Sequence, residues 1–354
     1  MAAVLNEVIS RTNELNEEGE ARLYRSFKHF WHPVMYSHEL TDRPVATVLC
    51  GEPLAIVRLE DQVCAFYDRC AHRGTPLSLG TVDRGQLRCP YHGWQYDRSG
   101  QVRVIPQKPE LASRIHACVR SYSATERYGM VWVCLEDKPR LPLPELPQFE
   151  RGADFATRLI PTEIWNCSPP RRLENIVDLG HFPILHDGIL GFKEKPQVPE
   201  HRVWESGDNL MMELIGRTFL MPNNPRYTSL HIEGSILNIH RQWTIFPPLT
   251  VLAEESGPRD GDKFYLFFHQ TPIGPSRMRD FFVISRNYLT DQEEMDKLVE
   301  FSQFISHQDK PVVEAQRPQE LPEDLSHELH VKGVDTLSVM YRQRILAMAK
   351  ELDR

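Results

Sequence analysis

Two stretches of the sequence concentrate residue types that hold metals. The first, "CAHRGTPLSLGTVDRGQLRCPYHGW" at residues 70–94, reads Cys70-x-His72, then sixteen residues, then Cys89-x-x-His92. Two thiolates and two imidazoles suit either a tetrahedral zinc ion or a [2Fe–2S] cluster with cysteines on one iron and histidines on the other. Zinc modules usually pair Cys with Cys and His with His. Here each half supplies one of each, as two loops would if each gave a ligand to both irons, and this favours the cluster. Gly74 and Gly93 would let backbone N–H groups approach sulfur, and Pro76 and Pro90 would stiffen the loops.

The second stretch is "DLGHFPILHDG", residues 178–188. His181 and His186 are five positions apart, so on a regular helix their side chains diverge by about 140°. They share one ion only if the helix is distorted, and Pro183, which lacks an amide donor, could supply the distortion. A pair of satisfied core histidines is the competing reading. A third ligand must come from elsewhere. Thr290 followed by Glu293 is a capping-box signature, and Met295, Leu298, Ser302 and Ile305 then step along one helical face. The next inward position is Asp309, in "SHQDKPVVEAQRP", and an ionised carboxylate facing inward is costly unless it is paired or bound to a metal. With Pro311 close by, Asp309 could also be a plain helix-end carboxylate; Glu314 is the next candidate.

The elements that position these residues fall into two blocks. "VATVLC", "LAIVRL", "VCAFYD" and "GMVWVCLED" are short β-prone runs set off by turn signals, and they predict an all-β module. Prolines 139, 142, 144 and 147 then predict an extended linker. Beyond it, "NLMMELIGRTF", "SLHIEGSILNIHRQWTIF", "LTVLAEE", "FYLFFHQTPI" and "MRDFFVISRNY" predict one antiparallel sheet. The helix after Thr290 and another after Asp335, with Leu337, Tyr341, Ile345, Met348 and Leu352 on its apolar stripe, close the chain. The expected class is α+β. The expected division is an N-terminal extension at 1–26, the β module at 27–138, the linker at 139–150 and a larger domain at 151–354.

Bulk composition excludes several classes. The chain has 354 residues, 41% hydrophobic and 25% charged, as in ordinary globular proteins. A formal charge of −8 argues against a general nucleic-acid binder. No run is long and apolar enough to span a membrane, and the acidic start does not resemble a signal peptide, so a cytoplasmic location is expected. The seven cysteines are an odd number without a secretory signal, so reduced thiols are expected. Cys50, Cys64, Cys118, Cys134 and Cys167 read as small buried hydrophobes, and His29 and His32 as packing or capping groups. His231, His240 and His269 lie in strand-like runs, where some could face a substrate cavity, and the sequence singles out none of them.

Together the motifs resemble those of the Rieske non-haem iron oxygenases. Residues 70–92 match the Rieske motif. Asn175, Asp178, His181 and His186 are similar to that family's mononuclear-iron segment, and the tail after Asp309 is similar to its "D-K-P-V-V-E-x-Q". The resemblance implies a Rieske [2Fe–2S] cluster on Cys70, His72, Cys89 and His92, and a mononuclear Fe(II) on His181, His186 and Asp309. It also implies a helix-grip (START-like) catalytic domain. Asp178 would link His181 to His92 of a neighbouring subunit. The single-subunit members, among them methylxanthine N-demethylases, dicamba O-demethylase and saxitoxin-pathway hydroxylases, look most similar, and they imply a homotrimer. The chain has no nucleotide-binding fingerprint, so a separate NAD(P)H-dependent reductase, directly or through a ferredoxin, would supply electrons. The implied reaction uses O2 to hydroxylate, or to O- or N-demethylate, a small organic substrate, aromatic or heterocyclic. The alternative is a Rieske-type electron carrier without oxygenase activity, which the long second domain argues against.

Overall fold

The computed structural model describes residues 22–150, 152–215, 218–219, 224, 236–237, 240–257 and 259–352. It divides into two compact units, Phe27–Pro144 and Glu145–Arg354, the latter joined by residues up to Ser26. Within the first, β1 (His32–Tyr36), β2 (Val45–Leu49), β3 (Glu52–Leu59), β4 (Gln62–Tyr67), β9 (Ser121–Arg127) and β10 (Met130–Cys134) form an antiparallel sheet in the order β1-β10-β9-β4-β3-β2. The strands rich in Val, Ile and Leu run buried almost without alternation: every residue of β1 and β10 is buried, as are Leu54 to Val57 of β3. Such continuous runs mean that both faces are covered.

A second, four-stranded sheet is built from β5 (Thr81–Asp83), β6 (Gln86–Arg88), β7 (Gln95–Tyr96) and β8 (Val102–Val104). Its strands are too short to give a periodic signal in the sequence. It packs on the first sheet through a core that joins Ala55, Val57 and Phe66 to Leu87, Tyr96 and Val102, and that includes Cys70 and Cys89. His32 is fully buried and its Nε2 donates to the Phe27 carbonyl at 2.8 Å, which is a packing role. The expectation for Cys118 fails. Cys50, Cys64, Cys134 and Cys167 are buried, but Cys118 is exposed, because its neighbour Val119 takes the inward side of an extended segment.

In the second unit, β11 (Ala156–Trp165), β12 (His201–Ser206), β13 (Asn209–Leu214), β16 (Arg241–Phe246), β17 (Thr250–Ser256), β18 (Lys263–Gly274) and β19 (Arg277–Arg286) form a seven-stranded sheet. The order is β11-β19-β18-β17-β16-β13-β12, antiparallel throughout. β14 (Thr218–Phe219) and β15 (Ile236–Leu237) pair separately, and His231 lies outside the described residues. The proline-rich segment differs from an extended linker at its end. Leu146 is buried, Pro147–Phe149 makes a 3₁₀ turn, and Phe149 packs on Tyr265 and Phe267.

Helix α1 (Pro169–Val177) opens with two prolines, placed where their missing N–H groups cost nothing. Helix α3 (Gln292–Glu314) is capped by Asp291, which accepts from Glu294 N at 3.1 Å, one position after the expected Thr290. The Asp291 carboxylate reaches the amide three residues on, which is the ordinary N-cap geometry. Met295, Leu298, Ser302, Asp309 and Val313 form its buried stripe, and the helix runs through Pro311.

Helix α4 (Thr336–Leu352) buries Leu337, Tyr341, Ile345 and Met348 as expected, and Arg342 as well. Arg342 binds Glu174 of α1 through two hydrogen bonds, 2.5 and 2.7 Å, and Glu328 at 2.7 Å; Arg171 of α1 binds Glu328 at 2.5 Å. This network fixes α1, whose C-terminal end leads into the second metal-ligand stretch. Among the described residues no helix is long and apolar enough to cross a membrane. Replacing one partner of a buried ion pair leaves the other charge uncompensated, so Arg342→Met should cost roughly 3–5 kcal/mol of unfolding free energy in urea denaturation. The double variant Arg342→Met with Glu174→Met should recover much of that loss.

Candidate metal centres

The two loops of the first stretch are built alike. In one, Cys70 N donates to the Thr75 carbonyl at 2.8 Å and Gly74 N to the Cys70 carbonyl at 2.9 Å. In the other, Cys89 N donates to the Trp94 carbonyl at 2.9 Å and Gly93 N to the Cys89 carbonyl at 3.1 Å. Gly74 and Gly93 both have φ of +72°, a conformation that favours glycine, so their role is to close the turns. The second loop is the β6–β7 connection. Cys70 and Cys89 are buried, whereas His72 is exposed and His92 half-buried. The two imidazoles lie 4.6 Å apart, with His72 stacked on Trp94 and Tyr91 against His92.

Two inward cysteines and two outward imidazoles fit the ligand set of a [2Fe–2S] cluster, which Cys70, Cys89, His72 and His92 would hold. Tyr96 supplies a further observation. Its hydroxyl accepts from Ala71 N at 3.1 Å and lies 3.0 Å from Cys70 Sγ, so with Cys70 as a ligand thiolate, which has no proton, Tyr96 would be the donor to that sulfur. A donor to a ligand thiolate stabilises the more negative, reduced cluster.

The second stretch resolves the five-residue spacing by ending one helix and starting another. Helix α1 stops at Val177, Asp178 is its C-cap, and α2 (Phe182–Leu185) is a single turn with His181 at its N-terminal cap and His186 at its C-terminal cap. Asp178 accepts from Gly180 N at 2.7 Å and from His181 N at 3.2 Å, which shapes the break between the two helices. The histidines flank α2, and α3 brings Asp309 to them. One ligand atom from each of His181, His186 and Asp309 lies within 4.8 Å of the others. Among the described residues no other metal-ligand group of this type occurs, and Glu314 instead accepts from Asn166 N at 2.8 Å.

The hydrogen bonds around the triad show what it can hold. His181 Nδ1 is 3.0 Å from Asp178 Oδ2, and His186 Nδ1 is 2.8 Å from Gln308 Oε1. With both Nδ1 atoms donating, both Nε2 atoms carry lone pairs. These face Asp309 Oδ1 at 3.5 and 3.1 Å. Three converging acceptors call for a cation between them, and two imidazoles with one carboxylate suit ferrous iron. Burial pushes the Asp309 carboxyl up, but the charge of the buried Arg172 opposes this and the carboxyl lies below its ordinary value. Asp178 is likewise pushed up by burial and pulled lower by its bonds from His181 and Gly180. Asp187 ties the following loop by accepting from Lys193 N at 3.0 Å, a local role.

Sequence reasoning missed Arg172, Gln308 and Asp280. Arg172 is 3% exposed and binds Asp309 Oδ2 at 3.0 Å and Asp280 Oδ2 at 3.2 Å. The only signal was the paired arginines of "PPRRLENIV", whose burial no pattern announces. Asn175 Nδ2 stands 3.5 Å from His181 Nε2 and 3.4 Å from Asp309 Oδ1. His269 is not part of the triad; it is buried in β18, 2.7 Å from Thr250 Oγ1.

A cavity of about 440 Å³ opens beside the triad. Strand register orders its wall. Phe264, Leu266 and Phe268 lie on one face of β18, and Phe268 stacks on Phe282 of β19. The next step along that face is Gln270, paired with Asp280, at the triad end. The opposite end carries the Arg241–Glu255 ion pair, 2.6 Å, which shares a row with Phe264. Six residues separate the rows, roughly 20 Å of strand.

A difference of about 1 kcal/mol in the strength of the Tyr96–Cys70 hydrogen bond between the two oxidation states is, for a one-electron couple, roughly 40 mV. Tyr96→Phe should therefore lower the reduction potential of the cluster by about that amount, read by redox titration of the visible absorbance. An unchanged potential would mean that the hydroxyl does not serve the cluster.

Residues 30–122 match the Rieske [2Fe-2S] domain, and residues 165–351 match the vanillate O-demethylase oxygenase C-terminal domain. The chain is 31% identical over 327 residues to methylxanthine N1-demethylase NdmA of Pseudomonas putida, covering 89% of this chain and 87% of that one. Against dicamba O-demethylase, oxygenase component, of Stenotrophomonas maltophilia it is 27% identical over 293 residues, covering 80% and 86%. A solved structure of NdmA with caffeine superposes with a TM-score of 0.81 at 27% identity, covering 94% of each chain. The paired-loop cluster fold, the His–His–Asp triad and these matches over nearly the whole chain lead to one conclusion: the chain belongs to the Rieske-domain oxygenases, as a terminal oxygenase component related to the methylxanthine N-demethylases.

Proposed function

We propose that this oxygenase removes a methyl group from nitrogen or oxygen of a small, uncharged aromatic or heterocyclic substrate. The observation that carries the reading is the His181–His186–Asp309 triad, with His186 and Asp309 buried, opening on a cavity walled by Phe264, Phe268 and Phe282. When both groups are bound, the cluster supplies electrons singly and ferrous iron supplies O2 activation. One oxygen atom enters a C–H bond of the methyl group; the other leaves as water with two electrons and two protons. The resulting hydroxymethyl group then departs as formaldehyde.

The chain's own residues position the reaction. Cys70, Cys89, His72 and His92 hold the cluster, and His181, His186 and Asp309 hold the iron. Asp178 and Gln308 set the orientation of the two imidazoles. The aromatic wall holds a flat substrate with one methyl toward the triad and keeps bulk water out. Arg241 and Glu255 cancel each other's charge at the far end, which favours a neutral polar group there over a carboxylate. Hydroxylation without loss of carbon is the outcome for a substrate whose nearest C–H bond is not on such a methyl.

The second unit is of the helix-grip type, with α3 lying against β11 and α1. The protein works as a homotrimer in the cytoplasm, fed by an NAD(P)H-dependent reductase, directly or through a ferredoxin. The exposed apolar residues support the trimer. Exposed Tyr91 packs against His92 on one unit, while exposed Ile184 and Val334 lie near Asp178 on the other. Each patch then suits the complementary patch of a neighbouring copy, with Asp178 meeting His92 of that copy.

A panel of aryl methyl ethers, N-methyl heterocycles and their carboxylated analogues, with a surrogate reductase, tests the reaction by formaldehyde release. Release from the neutral members, with little from the carboxylates, is expected; hydroxylated products without formaldehyde would replace demethylation by hydroxylation. Asp178→Asn should retain cluster and iron while slowing single-turnover oxidation of the reduced cluster by about 10–100-fold. Loss of iron in that variant would make Asp178 a ligand instead.

A further inference from the structure

Arg172 lies where a buried cation would ordinarily compete with a metal ion, yet the sequence places it beside the triad. Its three nitrogens are all engaged. Nη1 donates to Asp309 Oδ2 at 3.0 Å and to Asn175 Oδ1, Nε to Asp280 Oδ2 at 3.2 Å, and Nη2 to Ser306 Oγ at 3.2 Å. Its guanidinium carbon sits 4.1 Å from the centre of the Trp165 ring. Asp280 is 5% exposed, and its second oxygen accepts from Gln270 Nε2 at 3.3 Å. A continuous chain of polar contacts thus runs Gln270–Asp280–Arg172–Asp309, from the sheet through α1 to α3.

We propose that Arg172 is a positioning residue for the mononuclear iron, holding Asp309 by Oδ2 so that the carboxylate offers the ion Oδ1 alone. The proposal rests on the reading of the triad as the iron site. Asp309 divides its oxygens accordingly: Oδ1 faces His181 Nε2 and His186 Nε2, and Oδ2 faces only away from them toward Arg172. A carboxylate that gives one oxygen leaves more of the coordination sphere open for O2 and substrate than one that gives two.

Asp280 makes this arrangement affordable in charge. One buried cation between two buried carboxylates leaves a net negative charge, so Arg172 with Asp280 adds nothing overall and the charge of Asp309 remains for the ion. Arginine suits the position because a rigid planar fork reaches two carboxylates and an amide at once, and lysine does not. The same fork holds Asn175 by its oxygen, which turns the Asn175 amide nitrogen toward His181 and Asp309.

The test uses the full chain with its cluster loaded and the mononuclear site stripped of iron. Fe(II) affinity is measured by competition with a chelator, and the ferrous site is read by electron paramagnetic resonance after addition of nitric oxide. Arg172→Gln should weaken Fe(II) binding by about 10–100-fold and change the nitrosyl signal, with the visible spectrum of the cluster unaltered. Arg172→Lys should fall between, and Asp280→Asn should move both readouts in the same direction. Wild-type affinity and signal in Arg172→Gln would overturn the proposal. Should that variant fail to fold, an unchanged affinity and signal in Asp280→Asn would overturn it equally. His181→Ala separates the two levels: if Fe(II) binding to the stripped protein is indifferent to it, the triad is not the iron site; if His181→Ala abolishes binding while the Arg172 and Asp280 variants bind normally, only the positioning role fails.

Discussion

The second unit is organised around one buried carboxylate. Asp309 is 5% exposed, on the inward stripe of a helix that otherwise buries Met295, Leu298 and Val313. A charge in that place is tolerated only with compensation on every side. The Arg172 guanidinium binds one oxygen, the other faces two imidazole nitrogens across the place a cation would take, and each of these partners is held by a further residue: Asp178, Gln308 and Asp280. α1, the α1–α2 break, α3 and the β18–β19 pair all supply members of this set. The need to satisfy one carboxylate therefore ties together elements more than a hundred residues apart.

The two ligand stretches solve different physical problems. The cluster loops are local. Each closes through its own backbone hydrogen bonds and a glycine with positive φ, so the geometry follows from a few adjacent residues. The His181–His186–Asp309 site is long-range and depends on a helix clamp, since α1 is held from behind by Arg342, Glu174, Arg171 and Glu328. That difference suits their tasks. An electron-relay site needs exposed imidazoles near its partner, and an oxygenase site needs a closed, apolar cavity with few polar groups.

The same contrast explains what the sequence disclosed. Cys70, His72, Cys89 and His92 were legible because their spacing is short and chemically specific. His181 and His186 were suspected and needed the backbone break at 178–181 to become plausible partners; Pro183 pointed to an irregularity, though not to a complete interruption. Asp309 was reachable from the 295–298–302–305 stripe, because a carboxylate on that face contradicts its neighbours. Arg172, Gln308 and Asp280 were not legible, since each acquires its role only from a partner distant in the chain. The β5–β8 sheet was hidden by strands of two or three residues, and Cys118 was misplaced because its neighbour Val119 takes the buried side.

The central claim is that one chain holds both an electron-storing cluster and a separate iron on His181, His186 and Asp309. The direct measurement is the ratio of iron to acid-labile sulfide in the purified, reconstituted chain and in its Asp309→Ala variant. The account predicts about three irons to two sulfides for the native chain and about two to two for the variant, with the visible spectrum the same in both. A native ratio of about two to two, or a ratio that Asp309→Ala leaves unchanged, would contradict it.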